Sequence, residues 1–265
     1  MNLYITKKDF TELPYEFVER KGKGHPDTLS DNLAEYLSSK YSIYTKEKFG
    51  AVLHHNFDKV GLLGGASDVG FGYGSLTKPI RILLNGRAST KFGDENIDVV
   101  KLLKQWSIEF MVDNLPIDNP EKELEFHYNL SNQSSPGKTE EQINKNKSTR
   151  KYWFEPRSLD DIQELKKLVS NDTSLGVGFA PYTVLESIIL EIETTLNGEE
   201  FKSQNPWIGS DIKIMGFRNN NEYKITMCIP QISGFVKSMD EYKNNIVFCR
   251  KVIFNISKKN NIENL

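Results

Sequence analysis

Apolar residues along this chain recur with two different periods. Leu29, Leu33 and Leu37 stand four apart and make one stripe, which predicts a helix over about 27–42. Val99, Val100, Leu102, Leu103, Trp106, Phe110 and Met111 crowd the stretch 95–114, a pattern suited to a buried helix. Between these stretches the period shortens. AVLHH (51–55) and KVGLLGG (59–65) read as short strands, PIRILLNGRAS (79–89) as a clearer one, and ELEFHYNLS (123–131) alternates as a strand does. The second half repeats the mixture, with helices predicted over 158–170, 183–197 and 239–257 and strands over 173–180, 211–217 and 222–229. Strand and helix segments intermix without a regular βαβ rhythm. The predicted class is therefore α+β, with sheets covered by helices on one face.

The run NQSSPGKTEEQINKNKSTRK (132–151) is nearly devoid of large apolar residues and reads as a surface loop or insertion. It suggests a first domain over 1–131 and a second over 152–265. Hydrophobic residues make up 38% of the 265 positions and charged residues 26%, enough for real cores and against wholesale disorder. Lys and Arg number 34 against 36 Asp and Glu, so no strong net field draws the chain to nucleic acid or an anionic membrane. The N-terminus lacks an apolar signal region, no segment approaches transmembrane length, and a cytosolic location is expected. Cys228 and Cys249 have no CxxC partners, which argues against a zinc site, and two free thiols are expected.

Chemistry concentrates in ERKGKGHPDTLSD (19–31). Gly22 and Gly24 let a backbone approach a ligand, and Pro26 suits the first turn of the following helix. Asp27 and Asp31, four apart at a helix start, project to one side. With His25 and the amide donors they suit a phosphate chain held through Mg2+; the bland alternative is an acidic helix start that complements the dipole. His54 and His55 are adjacent on a strand and so point to opposite faces, one to the core and one to a pocket. GGASDVGFGYG (64–74), with five glycines, suits a lid over a site but fits neither a P-loop nor a dinucleotide fingerprint.

ERKGKGHPDTLSDNLAE resembles the GHPD signature of the S-adenosylmethionine synthetases. HHNFDKVGLLGGAS (54–67), PIRILLNGRAS, NDTSLGVGFAP (171–181) and GSDIKIMGFR (209–218) are similar to further segments of the archaeal-type branch, in the family's order. The resemblance implies that fold and the condensation of L-methionine with ATP, in which the triphosphate leaves and is cleaved to phosphate and diphosphate. It implies Mg2+ and K+ as cofactors and a homo- or hetero-oligomer. Carried onto this chain, His25 donates to the triphosphate, Asp27 holds Mg2+, and Asp31 is a weaker candidate for the cation site. Asp58 is a candidate for the methionine ammonium, with Lys59 beside it; an ordinary turn pair is the alternative. Asp172 would meet the ribose hydroxyls or a metal and Ser174 a phosphate, against the alternative of a turn that introduces a strand. Asp211 and Lys213 are further substrate-binding candidates. Lys213 and Arg218 are an odd number of positions apart, so a regular strand places them on opposite faces.

The resemblance also sets expectations of what is missing. Family members continue after the segment matched by KSMDEYKNNIVFCRKV into a third domain with GRGNR-like and GKIYN-like basic motifs, and neither occurs before Leu265. Two of three domains are therefore expected, and the polar tail ISKKNNIENL reads as a natural end. Three explanations stay open: a partner polypeptide supplies the third domain, the chain is truncated, or it is a non-catalytic homologue that binds and regulates a partner.

Overall fold

A computed structural model of the protein describes residues 13–132, 154–162 and 178–262. In chain order the elements are β1 (Tyr15–Lys21), α1 (Pro26–Phe49), β2 (His55–Leu63), β3 (Ala66–Gly70), β4 (Tyr73–Lys78), β5 (Ile80–Ala88), β6 (Lys91–Phe92), β7 (Glu95–Asn96), α2 (Val99–Asn114), α3 (Pro120–Glu123), β8 (Leu124–Ser131), α4 (Val184–Asn197), α5 (Glu199–Gln204), β9 (Lys213–Asn219), β10 (Glu222–Cys228) and α6 (Met239–Lys259). The α+β class expected from the sequence is the one observed. No described helix is long and apolar enough to cross a membrane.

The chain divides into two compact units, one running from Lys23 to Val177 and the other combining residues through Gly22 with those from Gly178 onward. This corrects the expected division into 1–131 and 152–265. The N-terminal strand β1 pairs antiparallel with β9, residue for residue from Tyr15↔Asn219 to Lys21↔Lys213, and Val18 packs against the core of the C-terminal unit. A pairing across some two hundred residues leaves no trace in local periodicity. The polar insertion lies almost wholly outside the described residues, as do most of the helix expected over 158–170 and most of the strand expected over 173–180.

In the unit from Lys23 to Val177 the sheet order is β2-β5-β8. β2 and β5 are antiparallel, while β5 and β8 are parallel and joined through α2. The stripe Leu29, Leu33, Leu37 and Tyr41 of α1 and the Leu103, Trp106, Phe110 and Met111 face of α2 close over Phe57, Ile82, Leu84 and Leu124 in one core. Both helices thus cover one face of the sheet. α1 runs about two turns beyond the predicted end and stops at Gly50, whose φ of 82° is the left-handed cap glycine tolerates best. Of the strand expected at 51–55 only His55 is in a strand; it opens β2, which takes in most of the strand expected at 59–65 and whose pairing with β5 is irregular between Asn56 and Lys59. The glycine-rich 64–74 stretch forms an antiparallel hairpin, β3 with β4, displaying Val69, Phe71 and Tyr73.

The other unit has sheet order β1-β9-β10, all antiparallel. Ile214, Gly216 and Arg218 of β9 face the helix layer and are buried. Leu185, Ile188, Ile189, Ile192 and Leu196 of α4 supply the core, and α6 adds Cys249, Ile253 and Ile256. α4 begins with a complete capping box: Glu186 N–H donates to Thr183 Oγ1 at 3.1 Å, and Thr183 N–H donates to Glu186 Oε2 at 2.7 Å. Burial pushes the Cys249 thiol up to about 11, and both cysteines are free, as expected.

Candidate functional site

The N-terminus of α1 is organised by His25. Its backbone is extended (φ −69°, ψ 138°) and it occupies the N-cap position, with Pro26 filling the first helical place. Asp27 N–H donates to His25 Nδ1 at 3.1 Å, and Leu29 N–H donates to His25 O at 2.9 Å. Because Nδ1 is the acceptor, the neutral ring carries its proton on Nε2. The residue thus presents an N–H donor at the positive end of a 24-residue helix. Asp27 and Asp31 are exposed on the first two turns, four residues apart. The arrangement suits a polyanion whose charge is met by amide dipoles, one imidazole N–H and a cation held by oxygen donors.

Among the described residues no group of three or more His, Cys, Asp and Glu side chains converges as a ready-made metal cage. Mg2+ needs no such cage, because it keeps several waters and is commonly bound by one or two carboxylates together with substrate phosphates. Asp27 and Asp31 are hard oxygen donors in solvent, the correct type for it.

The approach to this helix does not use its glycines as expected. Gly22 is buried, and its N–H donates to Ile212 O at 2.6 Å. A Cβ there would fall 2.5 Å from Asn197 Nδ2 and 2.8 Å from Ser210 O. Its missing side chain serves the packing of β1 into its own unit rather than access for a ligand. Arg20 and Glu19 are engaged similarly. Arg20 pairs with the buried Glu193 of α4 at 3.1 Å, and Glu193 also accepts from Asn197 Nδ2 at 2.9 Å. Sequence reasoning did not single out Glu193. The signal was a carboxylate interrupting the apolar stripe of α4 between Ile192 and Leu196.

Asp58 and Lys59 lie on β2 at its irregular step, not between strands. The two exposed side chains form an ion pair with one another, and Asp58 N–H donates to Asn56 Oδ1 at 3.0 Å. The adjacent histidines diverge, although only His55 is in β2. His54 stacks on Phe154 with ring centroids 5.4 Å apart. His55 turns towards α1, where Nδ1–H donates to Leu53 O at 2.8 Å and Nε2 accepts from Ser38 Oγ at 2.8 Å. Burial holds its pKa below the usual histidine range, and Tyr41 closes over it with ring centroids 4.8 Å apart.

Asp211 and Lys213 belong to the other unit. Asp211 is exposed ahead of β9, and Lys213 Nζ pairs with Glu19 Oε1 at 2.7 Å on the sheet face opposite α4. Arg218 is on the helix-covered face, buried and paired with Glu16 at 3.2 Å, so the two cations do part to opposite faces. Asp172 and Ser174 lie outside the described residues. Of the nine candidates the structure groups His25, Asp27 and Asp31 on one helix start, and Asp58 with Lys59 as a pair on β2.

A family model described as S-adenosylmethionine synthetase (AdoMet synthetase) matches residues 3–152 and 154–264. The S-adenosylmethionine synthase of Caldivirga maquilingensis is 36% identical over 247 residues, covering 90% of this chain and 55% of that protein. That of Hyperthermus butylicus is 36% identical over 239 residues, covering 87% and 53%, and one from Saccharolobus islandicus is 35% identical over 257 residues, covering 95% and 58%. The chain therefore spans a little over half the length of the curated relatives it matches. Among solved structures, an unusual S-adenosylmethionine synthetase from Campylobacter jejuni aligns with a TM-score of 0.41 at 11% identity, covering 91% of this chain and 53% of that one.

Proposed function

The chain belongs to the S-adenosylmethionine synthetase family, and from that membership we propose that it condenses ATP with L-methionine, acting with the portion of the relatives' length that it does not span. The observation that carries this reading is the family match over nearly the whole chain. An imidazole N–H at the positive end of a helix is the type of donor such a reaction calls for. The methionine sulfur attacks C5′ of the ribose, an S–C5′ bond forms, the C5′–O bond breaks, and the triphosphate leaves with the electron pair. Water then cleaves the triphosphate to phosphate and diphosphate. A thioether already presents a lone pair, so no general base is needed; the charge growing on the leaving group is what must be stabilised.

In this reading His25 Nε2–H donates to an oxygen of the departing triphosphate, with the ring held by its Nδ1 cap bond. Asp27, assisted by Asp31, would hold Mg2+, which would offset triphosphate charge; K+ is the expected second cation. Asp58 receives the methionine ammonium, which would replace Lys59 as its ionic partner. For Asp172, Ser174, Asp211 and Lys213 as ATP contacts, the resemblance is the argument.

The test mixes the chain, alone and with the portion of a relative outside the matched region, with ATP, methionine, Mg2+ and K+, and separates the products by chromatography. S-adenosylmethionine above the enzyme-free rate supports the proposal. Its absence from both mixtures refutes it and leaves a non-catalytic binding subunit.

A further inference from the structure

The sheet β2-β5-β8 has a second face, which α1 and α2 leave uncovered. Ile82 and Leu84 of β5 are buried beneath those helices, so the alternation of the strand turns Arg81 to the other side. β8 lies parallel to β5, and its register sets Glu125 beside Arg81 and His127 beside Leu83. Leu124 and Phe126 of β8 belong to the helix-covered core. Glu125 and His127 therefore share the uncovered face with Arg81.

At one end of this face the hairpin β3–β4 leaves the sheet after β2 and rejoins it at β5. Gly64 and Gly65 lead into the hairpin, and Lys78 and Pro79 lead out of it. The two stems press together. A Cβ on Gly65 would collide with the Lys78 carbonyl and fall 3.2 Å from Pro79 O, so only glycine permits the approach. The fixed φ of Pro79 then sets how the chain turns from Lys78 into β5. Lys78 and Arg81 thereby line one cavity of about 390 Å3, with Glu125 and His127 on its wall and the two glycines at its side. A Cβ on Gly64 would meet no atom within 4 Å, which leaves the space beside it open.

The cavity's charges are arranged for an incoming anion. Neither Lys78 nor Arg81 is in an ion pair or donates a side-chain hydrogen bond among the described residues. Glu125 is the one carboxylate in the lining, and it pairs with His127 at 2.9 Å although the register puts it beside Arg81. Two cations stand against that single, already engaged carboxylate. Ala66 and Pro79 are the only apolar side chains in the lining, so a base or ring would find little to stack on.

We propose that this cavity binds a small phosphate-type oxyanion, phosphate or diphosphate, at a site apart from the start of α1. The Arg81 guanidinium offers a planar fork for two oxygens of one phosphoryl group, and Lys78 adds a point charge for a further oxygen. Glu125, kept on His127, leaves both cations to the ligand. His25, Asp27 and Asp31 do not line the cavity. Phosphate and diphosphate are the products of the reaction proposed above, but the site stands on its own cavity and charges and does not rest on that reading.

Isothermal titration of the full chain with diphosphate, phosphate and acetate tests it, without ATP or methionine, with EDTA in place of Mg2+, at about 0.15 M salt. The expected result is one diphosphate or phosphate per chain, with Arg81→Ala and Lys78→Ala each weakening binding at least tenfold. Arg81→Lys should weaken it less than Arg81→Ala, because the charge survives and the fork does not. Both residues are exposed, so circular dichroism should report an unchanged fold. His25→Asn should keep the affinity within twofold; a tenfold loss there would move the anion to α1 and overturn the proposal. No binding, or binding that Arg81→Ala and Lys78→Ala leave unchanged, overturns it too. Acetate bound as tightly as phosphate would show a cavity that reads charge alone and would refute the phosphate assignment. Diphosphate bound tenfold tighter than phosphate would assign the cavity to two linked phosphoryl groups, and equal affinities would assign it to one. Sedimentation in which Arg81→Ala dissolves a dimer while anion affinity stays the same would give the two cations to a second copy instead.

Discussion

At the scale of single residues, the two histidines that matter differ in how much of the ring is committed. His25 uses Nδ1 for the helix cap, so the cap can be tested apart from the donation proposed for Nε2–H. Asn is among the best N-cap residues, whereas Ala forfeits the cap at a cost of about 1 kcal/mol. His25→Asn should therefore stay within about 0.5 kcal/mol of the parent in urea unfolding, while losing synthesis of S-adenosylmethionine as fully as His25→Ala. Retained turnover in the Asn variant would show that the ring serves only as a cap. His55 has both ring nitrogens engaged, between Leu53 O and Ser38 Oγ, and burial disfavours its cation. The neighbouring His54 also disfavours its cation, and Tyr41 and Phe57 pack against its ring. Above its unfolded value of 6.5 both states are neutral and His55 adds no pH dependence. As pH falls through that value the unfolded chain takes up a proton that the folded chain refuses, so stability declines until the folded ring also protonates. Thermal unfolding between pH 7 and 5 should show this decline, and His55→Gln should flatten it; equal slopes would overturn the assignment.

Among the elements, α4 shows how a local sequence signal and a distant contact combine. The Thr183–Glu186 capping box was readable in the chain as T-x-x-E before an apolar run. The bond from Thr183 Oγ1 to Glu16 Oε1, 2.5 Å, ties that helix start to β1 and was not readable. Glu16 also pairs with the buried Arg218, so removing the hydroxyl disturbs a cap and a buried ionic network together. Thr183→Ala should cost about 2 kcal/mol, the upper end for a cap, and denaturant unfolding should report it. A loss below about 0.5 kcal/mol would mean that the network closes without the hydroxyl. The same division explains what else was legible. The leucine stripe of α1, the alternation of β8 and the divergence of His54 from His55 follow from neighbours within eight residues, and all were visible. The assignment of β1 to the C-terminal unit, the packing role of Gly22 and the Arg20–Glu193 pair depend on partners far along the chain. Those were not visible. Of the candidate site, the helix start could be read residue by residue, whereas the Asp58–Lys59 pairing depended on a strand irregularity that periodicity does not show.

For the whole molecule, the sheet β1-β9-β10 poses the remaining question, because helices cover only one of its faces. On the other, Phe17 and Phe217 stand opposite each other in the register with ring centroids 4.6 Å apart, and Phe17 is 68% exposed. Tyr15 and Met215 extend the apolar surface, while the Glu19–Lys213 pair marks its charged border. An aromatic pair bordered by an ion pair suits self-association, since the apolar centre supplies affinity and the charges set the register. A homo-oligomer, one of the assemblies the resemblance implies, would therefore form across that face. In a twofold dimer each substitution counts twice. Burying Phe17 contributes about 2 kcal/mol per copy, so Phe17→Glu should weaken the dimer by about 4 kcal/mol, nearly three decades in dissociation constant. Sedimentation velocity over a range of concentrations should then find a dimer for the parent chain and a monomer for Phe17→Glu, with unchanged circular dichroism. The same mass for both proteins would remove this face from the assembly. Loss of the dimer in Phe254→Asp instead would place the contact on the α6 side.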